Sequence, residues 1–133
     1  MKTITPAMAV MSVGAMAAAA DGRWSKLEIE RLRMMACLQP LFRDIPSVER
    51  FIGESAAELR AVGAKSLLED CRKALTPRLR ETAYAWAAEL VQADGAVVSE
   101  EHAFLQELAA KFSIPGALAR KIQAVAAIRR RTA

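Results

Sequence analysis

The chain has 133 residues, of which 53% are hydrophobic, 26% are charged and 5% are aromatic, and its formal net charge is +4. This length suits one compact domain, and the apolar content argues against intrinsic disorder. Ala, Leu and Met dominate the apolar residues, a mixture that favours helix over strand. The composition therefore predicts a single all-α domain over residues 1–133.

The first predicted unit covers about residues 5–38 and consists of a helix, an acidic turn and a second helix. A Thr-Pro pair predicts the start of the first helix, which runs to about residue 20, where an Asp-Gly turn ends it. Ser25 and Glu28 have capping-box spacing, so a second helix should begin there and stop before Pro40. Its predicted apolar face is formed by Leu27, Ile29, Leu32, Met35 and Ala36.

Two linking helices are predicted over about residues 47–75. Ser47 is a suitable cap for the first, Gly63 closes it, and the second runs from about residue 65 to 75. The two cysteines, Cys37 and Cys71, are far apart and both fall within helical apolar patterns. We therefore expect buried free thiols rather than a disulfide.

The second unit covers about residues 76–112, and a final helix follows over about 115–130. Phe104, Leu108 and Phe112 recur every four residues, as on the apolar face of a helix. The final helix should bury one side, made of Leu118, Ile122, Val125 and Ile128. Seven helices are expected in all. The methionines Met8, Met11, Met16, Met34 and Met35, and also Trp86, are expected in the core.

The two units are copies of each other. A shift of 73 residues places Ala20-Asp21-Gly22 on Ala93-Asp94-Gly95, and the same shift places Glu28 on Glu101 without a gap. Each copy begins with an Ala-rich helix, and small side chains allow backbones to approach closely. We therefore expect two pseudo-repeated halves whose leading helices form the central layer of the bundle.

The repeated acidic turn is the candidate functional site. Asp21 with Glu28, and Asp94 with Glu101, place one carboxylate at a helix end and another seven residues later. If the two turns lie at one end of the domain, four carboxylates meet and require a cation or basic side chains to neutralise them. Oxygen donors favour calcium or magnesium over manganese or zinc. The alternative is that these acids only cap helices.

The doubled Ala-Asp-Gly, with a glutamate seven residues after each aspartate, resembles the TerB-like family associated with bacterial tellurite resistance. The resemblance covers nearly the whole chain. It implies an all-helical bundle with two pseudo-repeated halves, a stress-response context, and an acidic site suited to a metal at Asp21, Glu28, Asp94 and Glu101. The second turn departs from the first, because its candidate cap, Ser99, stands one position later than Ser25, and Glu100 adjoins Glu101 and could replace or supplement it.

Catalysis is not expected. His102 is the only histidine, and the chain has no nucleophile motif or Gly-rich phosphate loop and shows no small-molecule substrate site. The prediction is a metal-binding or protein-interaction module in the cytoplasm, with no oligomeric state specified. The alternative is a basic surface that binds nucleic acid or anionic membrane through Arg120, Lys121 and the arginines 129–131. Acidic residues interleave with most of the basic ones, which disfavours that alternative.

The apolar N-terminal stretch has a superficial similarity to a secretory signal. It contains one basic residue and no leucine, and it leads directly into the first copy of the repeat. We therefore predict that it is part of the fold.

Overall fold

The computed structural model describes residues 4–20, 25–92 and 99–131, and these residues form seven α-helices and no strand. A short 3-10 helix, Pro40–Phe42, follows the second of them. The predicted all-α class and number of helices are confirmed. The helices are α1 (Pro6–Ala18), α2 (Lys26–Leu38), α3 (Val48–Val62), α4 (Ala64–Ala74), α5 (Pro77–Val91), α6 (Ser99–Lys111) and α7 (Gly116–Arg129).

The predicted caps account for where the helices begin. The Thr5 hydroxyl oxygen accepts a hydrogen bond from the Met8 amide at 3.1 Å, and Thr76 accepts one from the Leu79 amide at 3.2 Å, so the leading helix of each copy starts in the same way. Ser47 caps α3. Gly63, with φ of 83°, separates α3 from α4 in a conformation that favours glycine.

The leading helices of the two copies, α1 and α5, form the centre of the bundle as predicted. Helix α1 packs most extensively on α5 and also contacts α3 and α4. Gly14 permits a close approach, because a Cβ atom added there would lie 2.7 Å from Leu32 Cδ2. Trp86 of α5 stacks on Phe42 with ring centroids 5.1 Å apart, which confirms its predicted place in the core.

The outer helices depart from several predictions. Helix α2 buries only one narrow ridge, so Leu27 and Met34, both expected in the core, are half exposed, and Cys37 is exposed rather than buried. Helix α7 packs mainly on α5, which leaves Val125 and Ile128 on its outer side, also against expectation. The reason is the same in both cases: a peripheral helix has one packed face, and its remaining apolar residues face solvent.

None of the helices formed by the described residues has the length and apolar character needed to cross a membrane. The Ala-rich stretch near the N-terminus instead forms α1, whose residues pack inside the bundle. The prediction that this stretch is part of the fold is confirmed for the described residues.

Candidate functional site

The two glutamates of the predicted acidic site occupy equivalent positions in the fold. Glu28 is the third residue of α2, and Glu101 is the third residue of α6. Their exposed fractions are 3% and 5%, so both carboxylates are withdrawn from solvent. The other two predicted ligands, Asp21 and Asp94, lie outside the described residues.

Glu28 completes a capping box with Ser25. The Ser25 hydroxyl oxygen accepts a hydrogen bond from the Glu28 amide at 3.2 Å, and the Ser25 amide donates to Glu28 Oε1 at 3.3 Å. The Ser25 hydroxyl donates to the same oxygen at 2.8 Å. The capping role predicted for this pair is confirmed, and it fixes the carboxylate beside the amide groups that begin α2, where the helix dipole favours negative charge.

The structure also decides which glutamate of the second copy corresponds to Glu28. Helix α6 begins at Ser99, so Ser99 is a helical residue and does not take the place of Ser25 outside the helix. The shift of 73 residues places Lys26, the first residue of α2, on Ser99. Glu101 is buried, whereas Glu100 is exposed, and the equivalent of Glu28 is thus Glu101.

Burial of two carboxylates is the main electrostatic feature of this site. A carboxylate taken out of water requires hydrogen bonds or an opposite charge, because its desolvation is costly. Within the described ranges, no group of three or more His, Cys, Asp or Glu side chains is placed to hold a metal ion. The predicted cluster requires Asp21 and Asp94 in addition, so the four-carboxylate arrangement remains a prediction.

A cleft of about 500 Å³ opens beside the start of α6, between the end of α1 and the junction of α3 with α4. Met16, Leu59 and Phe104 give it an apolar lining, and Glu100 and Glu107 stand at its α6 wall. Small residues create this space, since Ala19, Ala20, Ala64 and Ala103 also line it. An apolar cleft with carboxylates at one wall has the chemistry to receive an apolar group beside a cation.

The predicted basic surface on α7 is partly neutralised. Arg129 Nη1 lies 2.8 Å from an oxygen of Glu89, a nearly buried carboxylate on α5. Sequence reasoning did not single out Glu89. The signal was available, because Glu89 is the only charged residue in the otherwise apolar run from Ala83 to Val91. Arg120, Lys121 and Arg131 are exposed, and so is His102.

Comparison with protein families gives a match over most of the chain. The model of the family described as tellurite resistance protein TerB matches residues 7–124. That range includes α2 to α6 in full, all but the first residue of α1, the first part of α7 and both copies of the acidic turn. Comparisons with curated proteins and with solved structures gave no match.

Proposed function

The chain belongs to the tellurite resistance protein TerB family, and on this premise we propose that it is a non-enzymatic binding module with two linked tasks. It holds a divalent cation at its acidic turns through Asp21, Glu28, Asp94 and Glu101. It presents the same end of the bundle to a protein partner. We place this role in a cytoplasmic stress response.

The observation that carries the proposal is the equivalent burial of Glu28 and Glu101 in the third position of two repeated helices. Capping explains the placement of Glu28, but the repeat pairs each glutamate with an aspartate seven residues earlier. A cation bound between the turns would be held by carboxylate oxygens from both copies. Carboxylate oxygens suit calcium or magnesium, with manganese or zinc less suited.

The apolar cleft beside α6 supports the second task. It adjoins the start of the helix that carries Glu101, so a partner bound there would lie next to the cation. Tellurite is itself an anion and would be repelled by carboxylates. We therefore propose that the module acts through a cation and a partner rather than by binding tellurite directly.

Calorimetric titration of metal-free protein with calcium, magnesium, manganese and zinc tests the cation site. The test variant carries Asp21→Asn and Asp94→Asn, and the matched control carries Asp44→Asn and Asp70→Asn, which remove the same charge elsewhere. We expect saturable binding by the natural protein and the control, and loss of binding in the test variant with its helical circular dichroism unchanged. Absence of binding by every ion would overturn the proposal and leave helix capping.

The alternative function is binding of nucleic acid or anionic membrane through α7. Its support is the exposure of Val125 and Ile128 on a helix that also exposes Arg120 and Lys121. The ion pair between Arg129 and Glu89 withdraws one of the cations it needs. Salt-sensitive binding to DNA or to anionic vesicles, lost when Arg120 and Lys121 are replaced by Gln, would favour this alternative.

A further inference from the structure

Helix α2 leaves three large apolar side chains in solvent. Leu27 and Met34 are each 50% exposed, and Leu38 is 85% exposed. Among the described residues, six large apolar side chains stand out as exposed, and half of them lie on this one helix. Single exposed apolar residues are ordinary on protein surfaces, whereas a contiguous set marks an interaction site.

The three residues form one line along the helix, here called the outer stripe. They occupy positions i, i+7 and i+11, which fall within about 40° of one another around a helix of 3.6 residues per turn. The core-facing ridge, with Leu32 and Ala36, lies on the opposite side. Spacings of seven and four residues are those of a helix that packs lengthwise against another helix.

The charges beside the outer stripe are mostly positive. Lys26, Arg31 and Arg33 are the basic side chains of α2, Glu30 is its one exposed acid, and the exposed Glu49 of α3 lies near Arg33. Glu30 is already bonded to Arg33, whose Nε donates to it at 3.1 Å. Neither Lys26 nor Arg31 has a carboxylate partner within the described part of the chain.

We propose that the outer stripe of α2 is a docking surface for one amphipathic helix of a partner protein, which presents apolar residues at the same spacing with carboxylates beside them. Charge complementarity selects this occupant, because acids on the partner would meet Lys26 and Arg31. A second copy of this chain would bring another stripe with an excess of basic side chains rather than carboxylates. A membrane surface suits a helix with one broad apolar face.

The chain offers a natural reporter for this surface. Cys37 is exposed on α2, three residues after Met34. The other cysteine, Cys71, is fully buried, and burial raises the pKa of its thiol to about 12. A thiol-reactive fluorophore should therefore label Cys37 alone and sit beside the outer stripe without covering it.

The experiment uses the full chain labelled at Cys37 and a synthetic helical peptide with leucines at alternating spacings of three and four residues and glutamates beside them. A peptide with lysine in place of each glutamate is the control ligand. We expect the glutamate peptide to bind at least about tenfold more tightly than the lysine peptide. Replacing Arg31 by Glu should reduce or reverse that preference.

Two variants test whether peptide binding depends on the outer stripe itself or on exposed apolar side chains in general. The triple variant Leu27→Ser, Met34→Ser and Leu38→Ser should weaken binding of the glutamate peptide at least about tenfold. The matched control Val125→Ser and Ile128→Ser removes side chains of similar exposure from α7 and should leave binding within about twofold. Because all these side chains are exposed, both variants should keep their helical circular dichroism.

Four results would overturn the proposal. Equal binding of the two peptides would show that charge does not select the partner. Equal effects of the two multiple variants would show that binding does not depend on α2. Binding of anionic vesicles through the outer stripe without peptide binding would assign it to a membrane. A dimer in sedimentation experiments that disappears in the triple variant would assign it to a second copy. None of these results depends on whether the acidic turns bind metal.

Discussion

Helices α1 and α2 have the same length, 13 residues, but opposite roles in the bundle. Eleven residues of α1 are buried, whereas only three of α2 are. The difference follows from charge: α1 contains no charged residue, and α2 contains five. A helix without charge can be surrounded by other helices, while a helix with charges on several sides must keep those sides in water.

The two faces of α2 give the largest expected contrast in stability. Leu32 is fully buried and packs near Gly14, so Leu32→Ala should lower the free energy of unfolding by about 2–5 kcal/mol through lost burial and the cavity that remains. The Leu38 side chain is mostly exposed and contributes little to packing. Leu38→Ala should therefore change the free energy of unfolding by less than about 0.5 kcal/mol. Urea denaturation of both variants measures the difference.

The same pair of variants tests the docking surface. Leu38 belongs to the outer stripe, so its loss should affect a partner and not the fold. A cost for Leu38→Ala similar to that for Leu32→Ala would show that the outer stripe is packed within the molecule. The contrast between the two faces, and the docking proposal with it, would then be wrong.

The sequence was sufficient to predict the helices and their starts, and insufficient to orient the outer ones. Thr5, Ser25, Ser47 and Thr76 all cap helices as expected, because capping depends on residues three positions apart. The orientation of α2 depends on distant helices instead. Adjacent residues differ by 100° around a helix, and the pattern did not reveal that Glu28 would face inward while Leu27 faced outward.

Two glycines in the interior of helices, Gly14 and Gly53, give the next contrast. Gly14 of α1 has Leu32 Cδ2 at 2.7 Å and a Trp86 carbon at 3.3 Å from the position of an added Cβ, whereas Gly53 of α3 has no atom within 4 Å. Gly14→Ala should therefore lower stability by about 1–2 kcal/mol, since the steric cost exceeds the gain in helix propensity. Gly53→Ala should raise it by about 0.5–1 kcal/mol.

Thermal unfolding of the two glycine variants decides whether α1 is held as closely as the structure indicates. Gly53→Ala serves as the control, because it carries the propensity gain without the contact. If both variants gained stability equally, Leu32 could move aside at little cost. The packing of α1 against its neighbours would then be less tight than the short distance at Gly14 indicates.

Only part of the candidate site could be predicted from the sequence, because the rest depends on how distant parts of the chain pack together. The spacing of Ser25 and Glu28 is local, and its capping box is present. The choice between Glu100 and Glu101 depends on where α6 begins and on which side faces the core, and Ser99 misled the local pattern because serine is also a common cap. Burial resolves the choice in favour of Glu101. The meeting of the carboxylates of both turns depends on Asp21 and Asp94, and it stays a prediction.

The smallest contrast concerns two buried hydroxyl groups, that of Ser12 within α1 and that of Ser55 in α3, which contacts α1. Ser12 is fully buried, and its Oγ has no hydrogen-bond partner in the described part of the chain, whereas the Ser55 hydroxyl of α3 donates to Met8 Sδ at 3.0 Å. Ser12→Ala should raise the free energy of unfolding by roughly 1 kcal/mol, because it removes an unsatisfied buried group and improves helix propensity. Ser55→Ala loses a bond and should gain less. A loss of stability in Ser12→Ala would instead mean that this hydroxyl has a partner, and that the uncharged core of α1 tolerates polar atoms only when they are paired.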